Sequence, residues 1–156
     1  MKSTIIALTA LFALASAMFA ADVELKPSEP LLFCADMEKS IAFYEGKLGF
    51  NVQQRNEQDP TWARLQRGDC SLMLIVAPDG EGWESLWKDL KGKPKGNGNW
   101  LYVRVDNADK LHAELKAKKV TFSAGTADGP VDRPWGSREF LVIDPDGYVT
   151  VFTQPK

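Results

Sequence analysis

Apolar positions along the chain change their spacing twice in the same order, which predicts two similar structural units. Short runs of alternating or continuous apolar residues are typical of strands, whereas apolar residues three or four positions apart are typical of helices. In the first half a strand is followed by a helix that begins at Asp36 and ends at Gly49. The predicted strands of this half cover residues 30–35, 50–55, 61–67 and 71–77.

The second half repeats this order after a segment, 78–99, that is rich in glycine and lysine and has one short helical stretch at 83–90. A helix is predicted to begin at Asp106, and the strands cover residues 100–105, 120–123, 138–143 and 148–152. An internal duplication is a strong sign of architecture. We therefore expect an α+β fold made of two βαβββ modules, 29–77 and 100–154, joined by the linker 78–99 in one domain.

The repeat is visible at the start of each predicted helix. Cys34-Ala35-Asp36-Met37-Glu38-Lys39 corresponds to Val105-Asp106-Asn107-Ala108-Asp109-Lys110. The last predicted hairpin turns at Asp144-Pro145-Asp146-Gly147. Proline fixes φ, aspartate bonds nearby backbone groups and glycine accepts a positive φ, so this tetrapeptide favours a tight turn.

The first twenty residues have the pattern of a secretory signal peptide. Lys2 is a short basic region, residues 5–14 are apolar and uncharged, and Ala15-Ser16-Ala17 is a cleavage pattern, with Ala20 as a second candidate. A membrane anchor is the alternative, but the apolar run is only marginally long enough. We expect cleavage after Ala17 or Ala20, a mature protein in the periplasm or secreted, and no membrane association afterwards.

Charge and aromatic content narrow the classes of partner. The formal net charge is −2, and acidic and basic residues are interspersed. Nucleic-acid-binding proteins carry a clustered basic face, so no nucleic-acid partner is expected. Five tryptophans are present. Most are expected in the core, and one or two in a ligand groove.

The two cysteines, Cys34 and Cys70, both lie in predicted strands. They are too few for a disulfide scaffold and form no zinc-binding pattern. In an oxidising compartment they could form one disulfide. The favoured alternative is two small, buried side chains.

Two motifs resemble the glyoxalase / bleomycin-resistance / ring-cleaving dioxygenase superfamily (vicinal oxygen chelate proteins). One is the turn Asp144-Pro145-Asp146-Gly147, and the other is the segment 36–50, with its Asp-x-x-x-Ser-x-x-Phe-Tyr and Leu-Gly-Phe elements. The resemblance spans residues 29–152. It implies two βαβββ modules whose curved sheets form a half-open cavity, with the helices outside it. Isomerases, dioxygenases and pure binding proteins share this fold, so fold alone does not select a function.

The resemblance also implies where a metal would bind. Four ligands of the metal-dependent members fall here on Glu29, Met73, Trp100 and Val151. Catalytic divalent metals take imidazole nitrogen and carboxylate oxygen, which only Glu29 offers. The single histidine, His112, lies on the second helix and is expected at the surface or half buried. No metal, cofactor or catalytic residue is therefore expected, and no nucleophile–histidine pair is evident.

The branch that resembles this chain in lacking ligands contains dimeric proteins that sequester a drug in an aromatic and acidic cleft. We accordingly expect a homodimer that binds an apolar or aromatic small molecule. Polar partners of that ligand are expected to include Glu139. The residues predicted to line the cleft are Glu29, Phe33, Trp62, Arg64, Trp100, Tyr102, Trp135 and Arg138.

Two alternatives stay open at this stage. One is a metal-dependent lyase or dioxygenase of the same superfamily with altered ligands. The other is a domain that assembles only with a partner, its cavity filled by its own aromatic residues. The segment Arg133-Pro134-Trp135-Gly136 has a similar ambiguity. It is either a loop at the cavity mouth or, as we favour, a packed turn before the penultimate strand.

Overall fold

The computed structural model describes residues 27–55, 57–58, 60–76, 96, 98–123 and 125–156. The predicted signal peptide, the short helix at 83–90 and most of the linker lie outside these residues. Among the described residues, no helix is long and apolar enough to cross a membrane. The elements are β1 (Leu31–Cys34), α1 (Met37–Ile41) continued by a π-helix (Ala42–Lys47), β2 (Asn51–Arg55), β3 (Trp62–Arg67), β4 (Cys70–Val76), β5 (Trp100–Arg104), α2 (Ala108–Ala117), β6 (Val131–Arg133), β7 (Ser137–Ile143) and β8 (Val149–Pro155).

The strands form two four-stranded sheets with the same topology. Their orders are β1-β4-β3-β2 and β5-β8-β7-β6, so the first strand of each module pairs with its last. This pairing is parallel, with Leu31 opposite Met73 and Trp100 opposite Val149, whereas the other pairs are antiparallel. The prediction of an α+β fold with two βαβββ modules is confirmed.

Each sheet has one face that packs against the helices and one face, called the open face below, on the other side. Side chains of a strand alternate between the two faces. Alternate strand residues, including Leu32, Leu74 and Phe152, join residues of α1 and α2 in one core that both modules share. The residues between them point to the open face, and several of these, such as Leu31 and Trp100, are exposed.

The turn of the last hairpin joins the two modules. Asp146 accepts hydrogen bonds from the backbone N–H of Ala35 (2.7 Å) and from the hydroxyl of Ser40 (2.9 Å). Asp144 accepts one from the Tyr44 hydroxyl (2.8 Å), and the Tyr148 hydroxyl accepts one from the N–H of Phe33 (3.0 Å). The tetrapeptide therefore forms the predicted turn and also fixes the second module on β1 and α1 of the first.

The two helices begin at positions that the internal repeat aligns with one another, and one of these differs from the start predicted for the second helix. Asp36 caps α1 by accepting from the N–H of Lys39 (3.1 Å), as predicted. The cap of α2 is Asn107, which accepts from the N–H of Lys110 (2.8 Å), so the predicted start at Asp106 is wrong by one residue. The repeat aligns Asn107 with Asp36, and both side chains offer the oxygen that a cap requires.

The second strand of the second module lies later in the chain than predicted. Within 120–123 only Phe122 pairs, as a single bridge to Val142. The regular strand is β6, which pairs with the start of β7. Gly125, with φ of 80°, lies in the bend that follows the bridge. The apolar pattern at 120–123 therefore marks only one bridged residue beside β7, and the regular strand beside β7 is β6.

The predicted disulfide alternative is wrong: Cys34 and Cys70, both described, are not bonded to one another. Parallel pairing places Cys34 beside Val76. Cys70 lies six residues before Val76, so at about 3.3 Å per residue the cysteines are roughly 20 Å apart along the sheet. Cys34 is buried, as the favoured alternative predicted, and burial raises the pKa of the partly buried Cys70 thiol.

Candidate functional site

The open face of the first sheet has an apolar floor made of short cross-strand rows. Phe33 lies beside Ile75, which lies beside Trp62 on the next strand. The next row is Leu31, Met73 and Arg64. These registers bring the predicted cleft residues of the first module, Phe33, Trp62 and Arg64, to one face.

Glu29 and Arg64 form an ion pair at one end of this floor. The Arg64 Nε donates to one carboxylate oxygen of Glu29 (2.8 Å) and its Nη2 contacts the other, so the pair is bidentate. Hydrogen bonds from Arg64 and from the Ser71 hydroxyl lower the pKa of Glu29. The same pair raises the pKa of Arg64. Both groups are therefore charged at neutral pH, and each holds the other in a defined orientation.

The open face of the second sheet is more exposed and more aromatic. Trp100 and Tyr102, on the edge strand β5, are 55% and 59% exposed. They lie beside Val149 and Val151 of β8, respectively. Ile143 of β7 continues the row of Trp100 and is also exposed. Large apolar side chains are thus presented to solvent in a row on a rigid sheet.

A polar cluster closes the other end of this face. Glu139 is buried, and its Oε1 accepts from Trp135 Nε1 (3.1 Å), Ser137 Oγ (2.7 Å) and Thr153 Oγ1 (3.2 Å). Its Oε2 lies 3.5 Å from the Nε of Arg133. Burial on its own would raise the pKa of Glu139, but these donors and the arginine charge outweigh it and lower the pKa.

The segment Arg133-Pro134-Trp135-Gly136 is the predicted turn, here between β6 and β7. The N–H of Gly136 donates to the carbonyl of Arg133 (3.1 Å), and Gly136 has φ of 83°, which favours glycine. Trp135 is not packed inside, because its side chain is 67% exposed. The Arg133 guanidinium lies 5.8 Å from the centre of its ring. The turn therefore presents an aromatic surface beside the polar cluster.

Arg138 does not reach the open face. It neighbours Glu139, so strand alternation directs it to the helix side. There it forms a bidentate pair with Asp109 of α2 (2.7 Å for both bonds) and a further bond to Asp132 (3.0 Å). This arrangement fastens α2 to its sheet and removes Arg138 from the set of residues that share the predicted cleft.

The four positions that correspond to metal ligands lie on the open faces, but their chemistry does not fit a metal. Met73, Trp100 and Val151 offer neither imidazole nor carboxylate, and Val151 is buried. Both oxygens of Glu29 contact Arg64. Across the described residues, no group of three His, Cys, Asp or Glu side chains converges as a metal site would require.

His112 is buried, so the prediction of a surface or half-buried side chain is wrong. Its ring stacks on Phe122 (4.1 Å between centres) and meets Phe140 edge to face. Its Nε2 lies 3.1 Å from the carbonyl oxygen of Thr126. The loop after α2 covers the ring, which a helix-only pattern could not reveal. His112 stabilises the core and lies away from the open face.

A groove lies between the modules and is lined by residues of both. One cavity of about 280 Å³ is lined by Trp100 and Tyr102 of the second module and by Ser71 of the first. A second cavity of about 700 Å³ shares part of its wall, including Cys70 and Val103, and continues toward the start of α2. Ser28 and Pro30, on either side of Glu29, line the first cavity together with Trp100 and Tyr102, so the ion pair of the first module lies next to the aromatic residues of the second.

The open faces also contain residues that were not predicted to line the cleft. Leu31, Arg104, Arg133 and Ile143 were outside the predicted cleft set, although each shares its face with a predicted member. For Leu31 and Arg104 the signal was available, because each lies two residues from Phe33 or Tyr102 on the same strand. The strand β6, which carries Arg133, was itself not predicted.

Comparison with known proteins agrees with this architecture. The model of the Glyoxalase/Bleomycin resistance protein/Dioxygenase superfamily matches residues 26–152. A bleomycin resistance protein of Geobacillus stearothermophilus is 30% identical over 135 residues, covering 81% of this chain and 95% of that protein. A crystal structure of a bleomycin-binding protein complexed with bleomycin has a TM-score of 0.62 at 23% identity, covering 85% of this chain and all (100%) of that chain.

A second solved structure is TnmS3, an antibiotic binding protein from Streptomyces sp. CB03234. Its TM-score is 0.63 at 23% identity, with 86% of this chain and 99% of that chain covered. At these identities the two structures demonstrate a shared fold and no more.

Proposed function

The chain belongs to the Glyoxalase/Bleomycin resistance protein/Dioxygenase superfamily, and from this premise we propose that it is an exported protein that binds an apolar or aromatic small molecule without a metal. The relatives named above as bleomycin resistance and bleomycin-binding proteins support a binding role. The apolar run at 5–14 and the cleavage pattern that follows it support export.

One observation carries the binding proposal: the exposed large apolar side chains of the described residues are concentrated on the open faces and the turn beside them. Contiguous apolar surface on a soluble domain marks a ligand groove or a protein interface. The set is Leu31, Trp100, Tyr102, Trp135 and Ile143.

The proposal includes a homodimer, because an open sheet face offers only one wall to a ligand. Small-molecule sites usually bury most of the ligand surface. A second copy of the chain, related by a two-fold axis, would supply the opposite wall and cover the apolar rows. The ligand would lie in the groove beside Trp100 and Tyr102, between the open face of one copy and the surface of the other.

Metal independence rests on the donor set. A metal that polarises an oxygen needs several hard or borderline ligands. Here the only carboxylate at the four positions, Glu29, is neutralised by Arg64. The competing function is a metal-dependent lyase or dioxygenase with altered ligands, and metal content distinguishes the two.

The test is elemental mass spectrometry of the mature protein after exposure to Zn, Ni, Mn and Fe(II) and desalting. We expect less than a tenth of an equivalent of any metal, roughly the level of adventitious binding. About one equivalent would contradict the proposal and favour the enzyme. On the same sample, an intact mass lacking residues 1–17 or 1–20 is expected from export, and sedimentation at twice the chain mass from dimerisation.

A further inference from the structure

The charged residues of the open faces are unbalanced in sign. Their arginines are Arg64, Arg104 and Arg133, and their glutamates are Glu29 and Glu139, as strand register and alternation assign them. The described open faces thus carry one surplus positive charge, three against two, although the whole chain has a net charge of −2.

Both glutamates are already satisfied from within the protein. Glu29 receives two contacts from Arg64, one on each carboxylate oxygen. Glu139 accepts three hydrogen bonds, is buried, and lies next to Arg133. Each carboxylate therefore already faces an arginine, so its charge is balanced within the protein.

The arginines, in contrast, keep unused donors. Two of the five N–H groups of Arg64 reach Glu29, and the others have no acceptor among the described residues. Arg104 has neither a hydrogen bond nor an ion pair within the described part of the chain. The buried Nε of Arg133 also lacks a hydrogen-bond acceptor there. The charged side chains of the open faces therefore have N–H donors that no acceptor of the described residues uses.

We propose that the ligand is an organic anion: an aromatic or apolar body with a carboxylate, sulfonate or phosphate group that accepts from Arg64. This inference rests on the proposed function and names the class of ligand. Glu29 orients the guanidinium through Nε and Nη2, and Arg64 shares a cross-strand row with Leu31 and Met73. Ser28 and Pro30, the neighbours of Glu29, line the same cavity as Trp100 and Tyr102, which places the ion pair beside that groove. Arg104, which has no ion-pair partner among the described residues, supplies the one positive charge that the glutamates of the open faces do not balance.

The experiment compares two fluorescent probes with the same aromatic body. Anilinonaphthalene sulfonate is an anion, and phenylnaphthylamine is its uncharged counterpart without the sulfonate. Affinities for both are measured on the full mature protein. A charge-assisted hydrogen bond at a half-exposed site favours the anion by roughly tenfold. This preference should decline as salt is raised, because the arginines are solvent-accessible.

Two variants at the same ion pair have opposite expected effects. Arg64→Met removes the donors and should weaken sulfonate binding by roughly tenfold while the neutral probe changes less than about twofold. Glu29→Gln removes the competing carboxylate, leaves Arg64 in place, and should strengthen sulfonate binding by a few-fold. General loss of structure cannot give these opposite signs.

Arg55→Met is the matched control. Arg55 pairs with Glu38 through both terminal nitrogens, but on the helix side of the same sheet. This control should leave both affinities within about twofold of the parent protein, as expected for a pair remote from the open face. Near-ultraviolet circular dichroism verifies that each variant keeps its tertiary packing.

The outcomes separate this inference from the proposed function. Equal affinity for the two probes, or the same change in both on Arg64→Met, overturns the anion preference and leaves a general apolar binder. Failure of both probes to bind the parent protein overturns the anion preference and the proposed function together. A sulfonate preference that Arg64→Met abolishes and Glu29→Gln increases supports the inference.

Discussion

Glu139 is a carboxylate that the fold keeps charged although it is almost inaccessible to solvent. Removing a carboxylate from water is unfavourable unless donors replace the lost hydration. Trp135, Ser137 and Thr153 supply three such donors, and Arg133 supplies a nearby charge. The cluster joins β6, β7 and β8, so a polar group here stabilises the edge of the second sheet.

Replacing this carboxylate should change both stability and its dependence on pH. Glu139→Gln keeps the shape but weakens the acceptor and leaves Arg133 without its counter-charge, so the free energy of unfolding should fall by about 1–3 kcal/mol at pH 7. The folded pKa is lowered from 4.5. Its contribution is therefore present above about pH 4.5 and is lost as pH falls through the folded pKa.

Urea unfolding from pH 3 to 7 tests this expectation. The difference between parent and Glu139→Gln should be largest at neutral pH and shrink in acid. Asp144, whose pKa is raised mainly by burial, has the opposite pH dependence, but it is present in both proteins and cancels. Glu45→Gln, at an exposed position of the π-helix, is the control. A pH-independent difference would contradict the role given to ionised Glu139.

At the scale of elements, the turn between β7 and β8 both closes its hairpin and contacts the first module. Its sequence satisfies local turn geometry, and its Asp146 carboxylate accepts from the N–H of Ala35 and the hydroxyl of Ser40 in the other module. The turn between β3 and β4 is only Gly68-Asp69, and within the described residues Asp69 makes no hydrogen bond to the second module through its side chain. The two hairpins are related by the repeat but differ in this contact.

This difference provides a matched pair of substitutions. Asp146→Ala removes two acceptors between modules and should lower the free energy of unfolding by about 1–3 kcal/mol, because the buried Ser40 hydroxyl loses its acceptor. Asp69→Ala, in the shorter turn, should change it by less than about 0.5 kcal/mol. Chemical denaturation measures both. Equal effects would mean that the contacts of Asp146 with the first module contribute little.

At the scale of the whole molecule, the modules share one core and do not form separate folding units. Residues of α1, α2 and both sheets, among them Ile41, Leu115 and Phe140, belong to a single buried cluster. Separating the modules would expose the helix-facing surfaces of both. Apolar burial at roughly 25 cal/mol per Å² makes that exposure costly.

The protein should therefore unfold in a single cooperative transition. Tryptophan fluorescence and far-ultraviolet circular dichroism are expected to give coincident urea curves, as for other domains of this size. Asp146→Ala should move both curves together to lower urea. A second transition would show that the modules are independently stable. So would a shift on Asp146→Ala in the urea curve of only one of the two signals.

The sequence by itself determined the local features of this protein. Asp36 specified a helix cap, Asp144-Pro145-Asp146-Gly147 specified a turn, and the repeated order of elements specified two βαβββ modules. These features depend on neighbouring residues, so period and turn chemistry were sufficient. The same information placed Trp62 and Arg64 on one face, because alternation along a strand is fixed by geometry.

The tertiary structure decided what depends on contacts between distant residues. Register placed Cys34 far from Cys70, and alternation in β7 directed Arg138 to Asp109 instead of the groove. Burial of His112 required a loop that lies fourteen residues later in the chain. The partners of Glu29 and Glu139 come from other strands, so only the folded sheets reveal that these carboxylates are satisfied and that donors remain. Chain-local patterns cannot encode such pairings, because each is fixed by sheet register and packing across the whole molecule.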